Sequence, residues 1–379
     1  MALISVIALL VALGVDRFLG EPPVRWHPVV WMGHYLGWAG RRLQRGARPS
    51  GEDYRSFWLG CLAWLGGAAL VWQAALALQA LALALPMALA GLVLGFLLKP
   101  MLAWRMLRIE VLAVEAALAQ SLVAGRERLS WLVSRDVSVL SEVRVRESAI
   151  ESLAENLNDS VVAPLFWFVV LGLPGAALYR FANTADAMWG YRGTYRGQHW
   201  EWAGKWAARA DDLFSWVPAR LTAALLALAA GGLSWMALRA QARQTQSPNS
   251  GWPMAAMALA LRVSLQKPGV YALNPGAATP HRLRVWLRVW LSAWPCPRWP
   301  QCWPFRSLSD YRPLHHGAGH HQRRRQKLAH HRPVPALRAP GPQGGAVQGA
   351  EYEQQRPRGG GWRDRQRSVL PGTRRTHSA

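Results

Sequence analysis

Long apolar runs alternate along this chain with short segments dense in charge. The run from Phe57 to Leu98 is broken only by Gln73, Gln79 and Pro86. That is room for two spans of roughly 20 residues joined by a tight turn. Ser160 to Phe181 and Leu213 to Leu238 are each long enough for one more, and Met1 to Val15 reads as a first span or a membrane-embedded helix. The pattern predicts an all-α, polytopic helical integral membrane protein of about 4–5 spans. Lys99 to Leu140 is amphipathic and predicted helical, with Gly125 as a break. Asp16 to Gly33 holds Pro22, Pro23 and Pro28, which forbid a continuous helix and predict a fixed, irregular loop. Its tryptophans suit a membrane interface, and the basic loops at 41–55 and 99–146 favour the cytoplasmic side.

The densest polar segment is Arg144 to Trp167, RVRESAIESLAENLNDSVVAPLFW. On a helix at about 100° per residue, Glu147, Glu151, Glu155 and Asn158 share one narrow sector, and Ile150, Leu153 and Leu157 share another. Carboxylates at i, i+4 and i+8 repel one another on a bare helix. A cation among them, such as Mg²⁺ carrying a nucleotide phosphate, would account for the spacing. A solvated acidic face partly neutralised by Arg144 and Arg146 accounts for it equally well.

Charge gathers again in FANTADAMWGYR, residues 181–192, and in GKWAARADDLFSWVPARL, residues 204–221. The first places Asn183, Thr184 and Asp186 at a membrane edge, where polar groups are costly unless partnered. The second brings Lys205, Arg209, Asp211 and Asp212 together just before an apolar run. Residues 1–280 contain no Gly-rich phosphate loop, no CxxC pair and no HExxH. His27, His34 and His199 are their only histidines, so a Ser/His/Asp triad has no support. Carboxylate clusters alternating with Arg and Lys suit a phosphate-bearing substrate with a metal ion. They also suit a transporter with gating ion pairs.

Composition refines this picture. Hydrophobic residues make up 51% and charged residues 17% of 379. The net charge of +23 is unevenly spread. From His281 onward there are 19 Lys+Arg against 4 Asp+Glu, or +15, leaving 25 − 17 = +8 for residues 1–280. Cys61 is the one cysteine before residue 281, so no disulfide framework is implied.

Five segments in this order resemble adenosylcobinamide-phosphate synthase, the membrane enzyme family of cobalamin biosynthesis. They are DRFLGEPPVRWHPVVWMG, RESAIESLAENLNDSVVAPLFW, FANTADAMWGYR, GKWAARADDLFSWVPARL, and NSGWPMAAMALAL followed by KPGVYALN. The resemblance covers about Met1 to Asn274. It implies an ATP-dependent amide ligation in a bacterial inner membrane, joining adenosylcobyric acid to aminopropanol or its phosphate. Such chemistry activates the carboxyl as an acyl phosphate shielded from water. On that expectation Glu147, Glu151 and Glu155 hold Mg²⁺ and ATP with help from Asn158 and Asp159. Arg146, Lys205 and Arg209 neutralise phosphate, and Asp186 or Asp211 takes the amine proton. If Ser160 to Phe181 crosses the membrane, the acidic helix and FANTADAMWGYR fall on opposite sides. Either that segment re-enters, or one of the two is outside the site. A membrane permease or corrinoid-uptake component is the alternative function.

After Asn274 the sequence departs from the family, which would continue with another apolar segment. Residues 281–379 form a basic tail rich in Arg, His, Gln and Pro. Literally read, it offers a nucleic-acid or metal-binding tract. Its composition instead suggests an out-of-frame read. The stretches HQRRRQKL and GAEYEQQRPR can be coded so that one shifted frame gives two strings resembling the start of cobyric acid synthase. The tail is therefore expected to be a disordered out-of-frame read of a neighbouring gene, without nucleic-acid binding.

Overall fold

The computed structural model describes residues 2–44, 51–133, 136–195 and 197–280. The expectation for the tail lies outside the described residues.

The chain is helical, as its periodicity predicts. The first half contains α1 (Ala2–Phe18), α2 (Pro28–Leu43), α3 (Tyr54–Leu83), α4 (Met87–Leu98), α5 (Trp104–Leu118) and α6 (Leu122–Leu129). The second half contains α7 (Glu142–Leu157), α8 (Ala163–Trp189), α9 (Lys205–Phe214), α10 (Trp216–Ala229), α11 (Trp235–Ala242) and α12 (Gly251–Leu261). The described residues also form two short antiparallel hairpins, β1 (Thr194–Tyr195) with β2 (Gln198–His199), and β3 (Leu265–Lys267) with β4 (Tyr271–Leu273).

Among the described residues, three helical stretches are long and apolar enough to cross a membrane: Tyr54–Leu83, Met87–Leu118 and Glu142–Trp189. A fourth counts if α9 and α10, bent by 46°, form one span. With that fourth, the count meets the low end of the 4–5 spans expected. The α1 helix is 17 residues, roughly 25 Å, short of a hydrocarbon core of about 30 Å. The run to Leu238 is cut after Ala229, where Gly231 and Gly232 take positive φ. Most of α3 faces outward, with Trp58, Leu62, Leu70 and Leu81 at least 60% exposed. An outer surface of that kind belongs against lipid.

Two other expectations are corrected. Gly125 is not a break: it lies buried inside α6, where a Cβ would strike Leu118, and the chain instead turns before the Ser121 cap. The loop after α1 is shorter than its prolines imply, since Pro28 is the first residue of α2, a position where its missing N–H costs nothing.

Burial divides the helices into two cores. One gathers Trp64, Phe168, Phe181, Trp189 and Trp200 from α3, α8 and the segment before α9, together with residues of α1, α2 and α4. The other gathers Leu107, Val114, Ile150, Leu226, Leu238 and Met257 from α5, α7 and α10–α12. The continuous path α7–α8 runs from the second core into the first.

That path folds back on itself. Within α8, Gly172 has φ 72° and ψ −159°, and Pro174 follows two residues later. A Cβ on Gly175 would lie 2.5 Å from the Trp167 carbonyl oxygen. In a straight helix, eight residues rise roughly 12 Å. Twelve residues from the bend on one side and eight on the other, Arg180 donates from Nη1 to the Ser160 hydroxyl at 3.3 Å and to the Asp159 carbonyl at 3.1 Å. A continuous helix would hold residues 20 apart at roughly 30 Å. The arms of α8 thus form a helical hairpin, its bend capped by Gln79 Oε1 accepting from Leu173 N at 2.7 Å. Both arms end on the same side.

Candidate active site

The returning arm brings the polar segments of α7 and α8 together. Where α7 ends, residues Asn158–Val162 form one π-helical turn. Single π turns of this kind are frequent at functional sites, because the extra residue re-aims the side chains around it. Asp159 is re-aimed toward the returning arm. Its Oδ1 accepts from Asn158 Nδ2 at 2.8 Å and from the Tyr179 hydroxyl at 3.3 Å. Asn158 is 3% exposed, and its Oδ1 accepts from Thr222 on α10 at 3.1 Å. Asn183 donates to Asp211 Oδ1 at 3.4 Å, tying the returning arm to α9.

Around this contact lies a cavity of about 330 Å³, lined by Glu155, Asn158, Asp159, Asp186, Asp211 and Asp212 on one side. The loop before α12, with Arg192, closes the other side. Ser247 Oγ accepts from the amides of Asn249 and Ser250, both at 3.2 Å, and so holds the loop. Asn249 donates to the Asp212 carbonyl at 2.7 Å and accepts from Arg220 at 3.0 Å. A second cavity of about 320 Å³ adjoins the first, sharing Glu155, Gln246, Ser247 and Ser250. Glu151, Ser152, Asn156 and Lys267 are among its further polar lining residues. Lys267 is set there by a tight turn, with Pro268 followed by Gly269 at φ 72°, the pairing a type II turn requires.

The structure separates the expected site residues into two groups. Glu151, Glu155, Asn158, Asp159, Asp186 and Asp211 line the joined cavities. Glu147, Arg146, Lys205 and Arg209 do not. Glu147 is buried and accepts from Arg144 at 2.7 Å. Arg146 is enclosed by Glu115 at 2.9 Å and Glu142 at 2.6 Å, an ion network that crosses from α7 to α5. Lys205 sits 3.9 Å over the Trp202 ring. Arg209 is exposed on α9. The cations facing the cavities are Arg192 and Lys267, which helical periodicity did not single out. Both belong to the conspicuous segments FANTADAMWGYR and KPGVYALN, and that membership was the available signal.

Among the described residues, no group of three His, Cys, Asp or Glu side chains is placed to hold a metal ion. The donors around the first cavity are nonetheless all oxygen. Mg²⁺ commonly takes one or two carboxylates and completes its shell with phosphate oxygens and water. By donor chemistry this set fits Mg²⁺.

Comparison with known proteins decides the family. The family model for CobD/Cbib protein matches residues 9–283. The chain belongs to the CobD/Cbib family. It is 44% identical over 271 residues to the cobalamin biosynthesis protein CobD of Chromobacterium violaceum, covering 69% of this chain and 81% of that protein. It is 40% identical over 284 residues to the probable cobalamin biosynthesis protein CobD of Methanothermobacter thermautotrophicus, covering 71% and 87%. The cobalamin biosynthesis protein CobD of Rhodobacter capsulatus is 42% identical over 279 residues, with 70% and 82% covered. No solved structure matches. All five segments that carry the resemblance to adenosylcobinamide-phosphate synthase lie within the CobD/Cbib match or overlap it.

Proposed function

We propose that this CobD/Cbib chain acts in cobalamin biosynthesis as an ATP-dependent ligase of a bacterial inner membrane. It would join the propionate carboxyl of adenosylcobyric acid to the amine of aminopropanol or aminopropanol phosphate. One observation carries this reading. The α8 hairpin brings the acidic end of α7, Asp186 and α9 around two joined cavities that also hold Arg192 and Lys267. A ligation of two substrates needs adjoining compartments, and carboxylates with a few cations suit phosphate chemistry with a metal.

Each residue's part follows from its position. Asp159 and Asp186 present carboxylate oxygens that would hold Mg²⁺, with phosphate oxygens and water completing its shell, and the ion when bound screens phosphate charge. Arg192 offers a guanidinium to phosphate oxygens. Asp211, tied to Asn183, is placed to take the proton that the attacking amine must lose. Loop 245–250 covers the junction and limits the water that would compete with the amine.

Both cavities are lined by residues between Leu132 and Tyr271. The test is an assay on membranes carrying the full chain, supplied with adenosylcobyric acid, ATP, Mg²⁺ and aminopropanol phosphate. ATP-dependent amide product, lost in Asp186→Asn and Asp211→Asn at unchanged expression, is the expected result. Full product from both variants would overturn the site. Absence of product from this chain and from a version with its reading frame restored would overturn the activity.

A further inference from the structure

Of the five conspicuous segments, DRFLGEPPVRWHPVVWMG gives no lining residue to either cavity among the described residues, yet its charges are buried. They gather around Lys99, which is 2% exposed and lies inside the apolar stretch Met87–Leu118. Its ammonium lies 2.7 Å from Glu21 Oε2 and 3.2 Å from Asp16 Oδ1, and His27 Nε2 lies 3.3 Å from the same Glu21 oxygen. A lysine within a membrane-embedded stretch is costly, and such residues usually serve function. Lys99 has a third partner, the Leu102 carbonyl, to which it donates at 3.3 Å. The other end of that same peptide, the Ala103 N–H, donates to the Ser160 carbonyl at 3.0 Å. Ser160 lies in the π turn Asn158–Val162, which carries Asp159. A peptide group is planar and rigid, so a donor on its oxygen fixes where its N–H points and polarises it. Two residues on, Arg105 N donates to Asp16 Oδ2 at 2.9 Å, which ties the uncapped start of α5 to the same cluster.

We infer that Lys99 is a positioning residue: through the Leu102–Ala103 peptide it sets the π turn that aims Asp159 into the first cavity. The inference rests on the ligase reading for what Asp159 does there, and on geometry alone for how Asp159 is held. Asp16 and Glu21 fix the ammonium, the ammonium fixes the peptide, and the peptide fixes Ser160. Arg180 grips the turn a second time, at the Asp159 carbonyl and the Ser160 hydroxyl. A single π turn departs locally from the α-helical pattern, so bonds from outside the helix decide where its side chains point. This gives the loop after α1 a part in the reaction although it stands outside both cavities.

The test compares Lys99→Met with Lys99→Met combined with Glu21→Gln, each in the full chain. The single variant strands two buried carboxylates and should melt lower; the double variant removes one of them with the cation and should melt nearer the parent. Neither has a donor for the Leu102 carbonyl. In both, hydrogen exchange at residues 158–162, followed by mass spectrometry in detergent, should quicken roughly tenfold or more. Asp159 is misaimed but keeps its charge, so in the amide-forming assay KM for ATP should stay within about threefold of the parent's while kcat falls roughly tenfold to a hundredfold. Turnover that recovers together with the melting temperature in the double variant overturns the inference, because Lys99 then serves charge balance alone. Parental exchange at 158–162 in the double variant overturns it too. Should neither variant fold, the parent decides. The Ala103 amide, at a helix start, exchanges slowly only if Ser160 holds it, and rapid exchange there refutes the relay. A chain that makes no amide would sink the ligase reading, while quickened exchange in the variants would still show Lys99 holding the turn.

Discussion

Replacing Gly172 by alanine tests the fold at the point on which the site depends. Its φ of 72° and ψ of −159° lie in a region that residues with a Cβ essentially avoid. Holding alanine there costs about 1–3 kcal/mol in backbone strain alone. A Cβ would also strike the Gln79 side chain. Gln79 Oε1 accepts from Leu173 N at 2.7 Å, and pushing it aside leaves that buried N–H unsatisfied, for about another 1–3 kcal/mol. The sum, about 2–6 kcal/mol, is a large share of the 5–15 kcal/mol that typically stabilises a folded chain. The assay is thermal unfolding in detergent, joined to a distance measurement between spin labels at Asn156 and Ala187, with Cys61, Cys296 and Cys302 replaced. On one continuous helix these positions would be roughly 45 Å apart. The hairpin predicts a much shorter distance in the parent, and in Gly172→Ala a lowered melting temperature with a broadened distance distribution. A parent distance near 45 Å would refute the hairpin. A variant within about 0.5 kcal/mol of the parent would refute the strain argument.

Three further outcomes follow from single contacts. A Cβ on Gly190 would collide with the Asp186 carboxylate, so Gly190→Ala should cut ligase turnover by roughly a hundredfold through displacement of that group, with little change in melting temperature. Glu21 is pushed up by burial, but a hydrogen bond from His27 and the charge of Lys99 outweigh this and hold it below its ordinary 4.5. A carboxyl depressed in the folded state stabilises above its unfolded value and loses that contribution as pH falls. Acid titration of stability in detergent should therefore show a decline setting in below about pH 4.5. That decline should be blunted in Glu21→Gln, and an identical acid profile in the two proteins would remove Glu21 as its cause. Removing Glu115 leaves Arg146 paired with the exposed Glu142 alone, and loss of the buried charge-assisted hydrogen bond should destabilise by about 1.5–3 kcal/mol in an unfolding assay.

Local periodicity made part of this molecule readable. The 3.6-residue repeat set Ile150 and Leu153 on a different sector from Glu151 and Glu155, and because α7 is a regular helix up to Leu157 the first two pack in a core while the other two line the second cavity. The tight turn at Pro86 was equally plain, since proline after an apolar run stops a helix by geometry alone. What hydropathy lacks is direction. The run from Ser160 to Phe181 has the composition of a crossing whether it continues or doubles back, and only the φ of Gly172 separates the two. Long-range pairing is hidden for the same reason. Arg146 looked like a free cation on the acidic helix, yet its carboxylate partner Glu115 stands 31 residues earlier. Lys267 looked like one charge in a loop, and only β3 and β4 bring it to the cavity.

The hairpin does more than place Asp186 beside Asp159; it also orients Asp159 itself. Asn158 and Tyr179 both donate to Oδ1, while Arg180 grips the backbone carbonyl of the same residue. Asn183 on the returning arm also reaches this carboxylate, so the hairpin fixes the group where it lines the cavity. In the ligase reading, that carboxylate is the group a metal or phosphate-bearing substrate meets. Tyr179→Phe removes one of the two donors to Oδ1 and leaves the ring that fills the core. A hydrogen bond to a charged group is worth about 1.5–3 kcal/mol, so turnover should fall by roughly tenfold to a hundredfold. Asp159→Asn, which keeps the shape and removes the charge, should cost far more. The order of the two effects is the informative result. If Tyr179→Phe is as damaging as Asp159→Asn while both variants fold, the tyrosine hydroxyl itself takes part in the chemistry, and the account of it as a support for Asp159 fails.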